Sequence, residues 1–158
     1  MDLRKYVPLF KLRICALITL SAVVGFVSAP AAVISWNKMF LLAISTMAAS
    51  AAASAFNHYF DSDIDAVMRR TRKRPLPSGE VASSKGILLA ATLLFTGSIL
   101  FSFKTLNYAA GFHLFLGGFV YVVLYTVWLK RRSWTNIIIG GLAGSFAVLA
   151  GGASSTPG

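Results

Sequence analysis

The stretch N-H-Y-F-D-S-D-I-D-A-V-M-R-R-T-R-K-R-P-L-P-S-G, Asn57 to Gly79, closes a long apolar run with three carboxylates and follows them with five basic residues. Asn57, Asp61 and Asp65 recur at i, i+4 and i+8, which a helix places at about 0°, 40° and 80° on one narrow face, over roughly 12 Å of axis. Such a face offers an amide and two carboxylates to a single ligand. A hard cation such as Mg²⁺ takes one or two carboxylates, with water and substrate phosphates completing its shell. Arg69, Arg72, Lys73 and Arg74 follow within a turn or two, where guanidinium and ammonium groups hold phosphate oxygens; on the same wheel Arg72 falls inside the carboxylate face if the helix runs that far. Pro75 and Pro77 are expected to end that helix. Asp63 points away from the other two carboxylates and reads as a supporting residue. Taken alone, the arginines also fit a plain topology signal beyond a membrane span. The carboxylates do not reduce so easily, because charge at the end of an apolar segment is costly unless a partner neutralises it.

Outward from this stretch, 56% of the 158 residues are hydrophobic and 13% are charged, far from the balance of a soluble domain. Uncharged runs over 14–37, 39–60, 86–103, 105–129 and 133–158 each supply about 20 residues, enough for a transmembrane helix. The expected fold class is all-α: a polytopic transmembrane bundle of about five spans, forming one domain over 1–158. The first run is too long for a signal peptide and reads as a retained helix. With the amino terminus on the cytoplasmic side, thirteen of the fifteen lysines and arginines share that face, and only Lys38 and Lys104 lie outside. This orientation places the protein in the cell (cytoplasmic) membrane, with the polar segment 61–85 as a cytoplasmic, substrate-binding loop. The net charge of +10 then describes one membrane face, suited to anionic membrane lipid and diphosphates, and nucleic acid is unnecessary as a partner. Ser83 or Ser84 would cap the third span.

Other features support packing more than chemistry. Cys15 is the lone cysteine, so no disulfide or thiolate metal site is expected. His58 and His113 could ligate haem iron or relay a proton, but a single histidine in a membrane helix ordinarily forms an interhelical hydrogen bond. Small residues from Ala48 to Ala55 suit a central helix approached closely by its neighbours, and Gly140, Gly141 and Gly144 suggest a second such face. Phe112, Phe115, Phe119, Tyr121 and Tyr125 read either as packing or as a wall sheltering an isoprenoid tail and its allylic cation. Trp36, Trp128 and Trp134 sit near span ends, as an aromatic belt requires.

The spacing Asn57-x3-Asp61-x3-Asp65 resembles the first aspartate-rich motif of the UbiA-type intramembrane prenyltransferases. Within that superfamily the run from Asp61 to Gly79 most resembles the protohaem IX farnesyltransferases, the haem O synthases. The block Tyr125 to Arg132, then Asn136 to Gly141 and Gly144, is similar to a second segment of those enzymes, and Lys11-Leu12-Arg13 sits where they carry a short basic motif. Phe146-Ala147-Val148 stands where they carry a proline pair. The resemblance implies Mg²⁺ held by Asn57, Asp61 and Asp65, with farnesyl diphosphate bound by Arg69, Arg72, Lys73, Arg74 and Lys130. Haem B would be the acceptor and haem O the product. It also implies a bundle of about nine helices with a second aspartate motif in its later part. The chain therefore reads as an N-terminal portion, not expected to catalyse alone, with the second motif supplied downstream or by a partner chain. The alternatives are a prenyltransferase acting on a quinone precursor, chlorophyllide or lipid, and a non-catalytic membrane scaffold. A CDP-alcohol phosphotransferase lacks its D-G-x2-A-R signature here.

Overall fold

A computed structural model describes residues 6–30, 34–81 and 84–155; the basic residues Arg4 and Lys5 and the capping candidates Ser83 and, for its side chain, Ser84 lie outside the described residues. The described chain is helical, and five helical segments are long and apolar enough to cross a membrane. A short 3-10 turn, Val7–Phe10, leads into α1, Leu12–Ser28; α2 follows at Trp36–Phe60, a short α3 at Ser62–Val67, α4 at Ser84–Thr105, α5 at Tyr108–Phe119 and α6 at Asn136–Ser155. Between α5 and α6 the fourth span continues as a π-helix, Val120–Leu129.

Half of the most apolar window of α2 is buried, against no more than 28% in any other span, so the small-residue helix is central, as its alanines and serines foretold. Ala49, Ala51, Ala52, Ala53, Ser54 and Ala55 are all buried, and their short side chains let neighbouring backbones approach where lipid gives no hydrophobic drive between helices. One packed cluster, Leu9, Ala55, Val81, Ile87 and Ala91, ties the N-terminal turn and the end of the polar loop to α2 and α4. Another, Ala22, Phe26, Leu42 and Ala147, joins α1, α2 and α6. Asn107 accepts from Ala110 N–H at 2.8 Å to cap α5, and its amide donates to the Ala153 carbonyl at 2.7 Å.

Three sequence expectations need correction. The helix carrying the carboxylates does not run to Pro75. It stops at Val67, where Met68 turns extended at ψ 124°, and the Thr71 hydroxyl donates to the Asp65 carbonyl at 3.2 Å, so the wheel position of Arg72 does not carry over. Of the expected contact glycines Gly140, Gly141 and Gly144 on α6, only Gly140 meets a neighbour, the Tyr125 ring, while Gly141 and Gly144 face open space; the glycine pressed against another helix's backbone is Gly151, where a Cβ would overlap the Ala22 carbonyl of α1. His113 hydrogen-bonds within its own helix, through Nδ1 to the Ala109 carbonyl at 2.7 Å, because a helical side chain reaches back to the preceding turn.

Candidate active site at the head of an apolar pocket

The end of α2 and the start of α3 meet at Asp61, which serves as C-cap of one and N-cap of the other in right-handed geometry. Backbone bonds run on through the junction, Asp61 N–H to Asn57 at 3.0 Å and Asp65 N–H to Asp61 at 2.8 Å. Asn57, Asp61 and Asp65 therefore share one face, and they are 2%, 1% and 4% exposed. Buried carboxylates must be paired, and each draws its cation from a different element. Lys130, just past the π-helix, pairs with Asp61 Oδ2; Arg74, in the polar loop, donates to Asp65 Oδ2 at 2.6 Å. Lys130 also stands 5.8 Å from the Tyr125 ring centroid, a cation–π contact that steadies its ammonium.

Asn57 is held at both ends of its amide. Lys11 Nζ donates to Oδ1 at 2.5 Å, and Nδ2 donates to Asp61 Oδ2 at 2.7 Å and to Thr126 Oγ1 at 3.3 Å. The Lys11 backbone sits in the left-handed region, φ 43°, between the 3-10 turn and α1. For a non-glycine residue that conformation costs about 1–2 kcal/mol, and such strain clusters at functional sites. Lys11 entered the sequence reading through the charge distribution and a short basic motif, and neither it nor Thr126 entered it as a site residue. A lysine on the edge of an apolar run is a signal; a threonine inside one is not.

Arg69, Arg72 and Lys73 are exposed, and among the described residues none forms an ion pair with these carboxylates. Asp63 departs from the cluster, as its wheel angle predicts: its side chain is 62% exposed and Arg131 grips it with two nitrogens, at 2.7 and 2.9 Å. That grip holds the Asp63 carboxyl below the usual carboxylate range and raises Arg131 in turn. Arg131 also donates to the Phe60 carbonyl at 2.7 Å, tying the loop after the π-helix to the end of α2. His58 is buried with neither ring nitrogen hydrogen-bonded.

Lys11 also lines a partly open pocket walled by α1, α2, α5 and α6, with Tyr121 among its other lining residues. Most of its walls are small or apolar, with Ile14 and Ile18 from α1, Ala49 and Ala53 from α2 and Gly117 from α5. The packed Ala22, Phe26 and Leu42 lie beyond Ile18. Lys11 belongs to both the pocket lining and the polar cluster, so it connects the apolar walls to Asn57. Tyr121 and Tyr125 stack at 5.3 Å, and Phe115 on Phe119 at 6.2 Å, but Phe112, Phe115 and Phe119 are exposed, so only the tyrosine end of the aromatic run adjoins the cluster.

A divalent cation fits the donor set. Asp61 Oδ1 is buried and has no hydrogen-bond partner, and an anionic oxygen left so is costly unless a cation meets it. Asp61 and Asp65 supply hard oxygen donors one turn apart. Among the described residues no group of three or more His, Cys, Asp or Glu side chains could hold a metal ion, so water or substrate oxygens would have to complete the shell.

The chain resembles known proteins along nearly its whole length. The chain is 49% identical over 154 residues to protoheme IX farnesyltransferase 1 of Paramagnetospirillum magneticum, an alignment covering 98% of this chain and 54% of that one. The chain thus spans about half the length of the curated relatives it matches. Its fold superposes on a digeranylgeranylglyceryl phosphate synthase with a TM-score of 0.86 at 21% identity, over 98% of this chain and 53% of that one. A UbiA homologue from Archaeoglobus fulgidus, solved with DMAPP and Mg²⁺, gives a TM-score of 0.76 at 21% identity, over 99% and 55% of the two chains. The UbiA prenyltransferase family profile matches residues 18–158, and with five apolar helices and a paired-carboxylate site in place, the chain belongs to that family of multi-pass membrane proteins.

Proposed function

We propose that this chain forms the diphosphate-binding part of an enzyme that transfers a farnesyl group from farnesyl diphosphate to protohaem IX, yielding haem O. The observation that carries the reading is Asp61: buried, paired through Oδ2, bare at Oδ1, and joined through Asn57 to Lys11, which lines the apolar pocket. The likeness to protoheme IX farnesyltransferase 1 supports the choice of acceptor over a quinone precursor, chlorophyllide or lipid. Asp61 and Asp65, with Asn57 behind them, would hold Mg²⁺, which neutralises charge on the leaving diphosphate. Lys130 and Arg74 now pair with the carboxylates, and on substrate binding their donors turn to diphosphate oxygens, joined by Lys11. Arg69, Arg72 and Lys73, exposed on the loop, complete the hold on the diphosphate. The C1–O bond then breaks, its electron pair leaving with the diphosphate, while the pocket keeps bulk water from the allylic cation. A haem vinyl carbon forms the new C–C bond at C1. Water adds at the resulting cation and releases a proton, leaving the hydroxyethylfarnesyl side chain. The loop side of the site faces the cytoplasm in the cell membrane, and further metal ligands come from beyond these residues or from a partner chain.

The test is retention of radiolabelled farnesyl diphosphate by the protein in nanodiscs, with and without Mg²⁺, alongside assay of a farnesylated product from haem B in membranes carrying the whole enzyme. Mg²⁺-dependent retention is expected, weakened about tenfold or more by Lys130→Ala and little by Lys104→Ala, since an ammonium bonded to phosphate is worth roughly 1.5–3 kcal/mol. Equal losses in the two variants, or retention indifferent to Mg²⁺, would reject the reading.

A further inference from the structure

Resting on that reading of the site, we infer that Thr126 is a positioning residue: its hydroxyl fixes the amide of Asn57 and through it keeps Asp61 Oδ1 turned toward the cation. The starting observation is the π-helix. Where a hydroxyl in the α-helices folds back along its own helix, it reaches a carbonyl three or four residues earlier, as Ser21 does to Leu17, Ser45 to Leu41, Thr92 to Leu88 and Thr105 to Phe101. Thr126 instead donates to the carbonyl of Tyr121, five residues back, at 2.8 Å. The wide turn puts that carbonyl within reach, and π turns in helices mark functional sites often enough to call for a reason.

Donor and acceptor chemistry then allows one arrangement. A carbonyl only accepts, so the single hydroxyl proton of Thr126 is committed to Tyr121, and its oxygen faces Asn57 as an acceptor. An ammonium only donates and a carboxylate only accepts, so Asn57 turns Oδ1 to Lys11 and Nδ2 to Asp61 and Thr126. Both Nδ2 hydrogens are thereby used. A flipped amide would press its oxygen against Asp61 Oδ2 and against the Thr126 oxygen, which has no proton left to give. Asp61 Oδ2 consequently takes Asn57 and Lys130 together, and Oδ1 is the oxygen left bare. Thr126 is itself 1% exposed, so no water can stand in for its hydroxyl without rearrangement. The chain of bonds links three separate segments of the protein to one carboxylate oxygen.

Thr126→Val keeps the shape and removes the acceptor; Thr126→Ser keeps the acceptor and removes a methyl. The measurement is Mn²⁺ binding by electron paramagnetic resonance on the nanodisc-embedded protein in the presence of inorganic diphosphate, with thermal melting recorded in parallel. Mn²⁺ binding weaker by about tenfold is expected for Thr126→Val, the size of effect that loss of an outer-shell partner produces, with Thr126→Ser within about twofold of the parent and the melting temperature of both nearly unchanged. If Thr126→Val does not insert stably, Thr126→Cys, whose sulfur accepts weakly, takes its place with the same expected loss. Unchanged Mn²⁺ binding in Thr126→Val or Thr126→Cys overturns the inference, as does a loss in Thr126→Ser equal to theirs. A parent protein that binds no Mn²⁺ with diphosphate rejects the underlying metal-site reading instead.

Discussion

Asp61 uses its two oxygens differently, and that asymmetry is the chemical content of the site. Oδ2 is bonded to Asn57 and Lys130, while Oδ1 is buried and bare. Asp65 shares the face but leans on Arg74, and Asp63 is turned outward to Arg131. Asp61→Ala and Asp65→Ala should each weaken Mg²⁺-dependent farnesyl diphosphate retention by more than the roughly 10–100-fold that follows loss of an outer-shell partner. Asp63→Ala should stay within about threefold, because an exposed ion pair contributes little. Retention assays on the three variants at equal membrane insertion decide the matter, and equal losses would defeat the division of roles. The carboxylate spacing alone separated Asp63 from its neighbours. The pairing of Asp61 with Lys130 and of Asp63 with Arg131, 69 and 68 residues away, was not legible, since ion pairs between distant segments carry no local pattern.

At the scale of elements, α2 is the axis of the bundle and α6 is clamped to α1 by a backbone contact. Gly25 of α1 and Gly151 of α6 lie where a Cβ would overlap the opposite backbone, at Val148 and Ala22 respectively. Gly151→Val should lower stability by about 3 kcal/mol or more, beyond ordinary overpacking because backbone cannot yield as a side chain can. Gly144→Ala, in open space, should be neutral or stabilise by up to about 1 kcal/mol through helix propensity. Melting curves in one detergent settle the contrast, and a Gly151→Val protein as stable as Gly144→Ala would show that the α1–α6 contact is not tight. The sequence marked glycines as contact residues on α6 but chose Gly140, Gly141 and Gly144. Of these Gly140 does meet a neighbour, the ring of Tyr125; the others do not, because which side of a nearly uniformly apolar helix faces a partner depends on where the partner sits.

For the whole molecule, the distribution of charge makes one end of the bundle cationic. Among the described residues, eleven lysines and arginines fall in the segments on the side that carries the carboxylates, and Lys38 and Lys104 on the other. We propose that this side is cytoplasmic. A cysteine introduced at Ser78, exposed at the tip of the polar loop, should react with an impermeant maleimide only from the cytoplasmic face, as the positive-inside rule requires. Labelling of intact cells from outside would reverse the orientation and relocate the site.

Composition and hydropathy by themselves determined that this protein crosses a membrane with five helices, because lipid demands about 20 apolar residues per crossing and little else. The i, i+4, i+8 spacing likewise determined that Asn57, Asp61 and Asp65 share a face, since helical geometry is local. Only the tertiary structure decided where the helix after Asp65 stops, that the fourth span winds as a π-helix, and that Lys11, Arg74, Thr126 and Lys130 converge on that face. Those outcomes rest on contacts between segments up to 69 residues apart, made as a buried charge seeks its partner, and no periodicity in the chain encodes them.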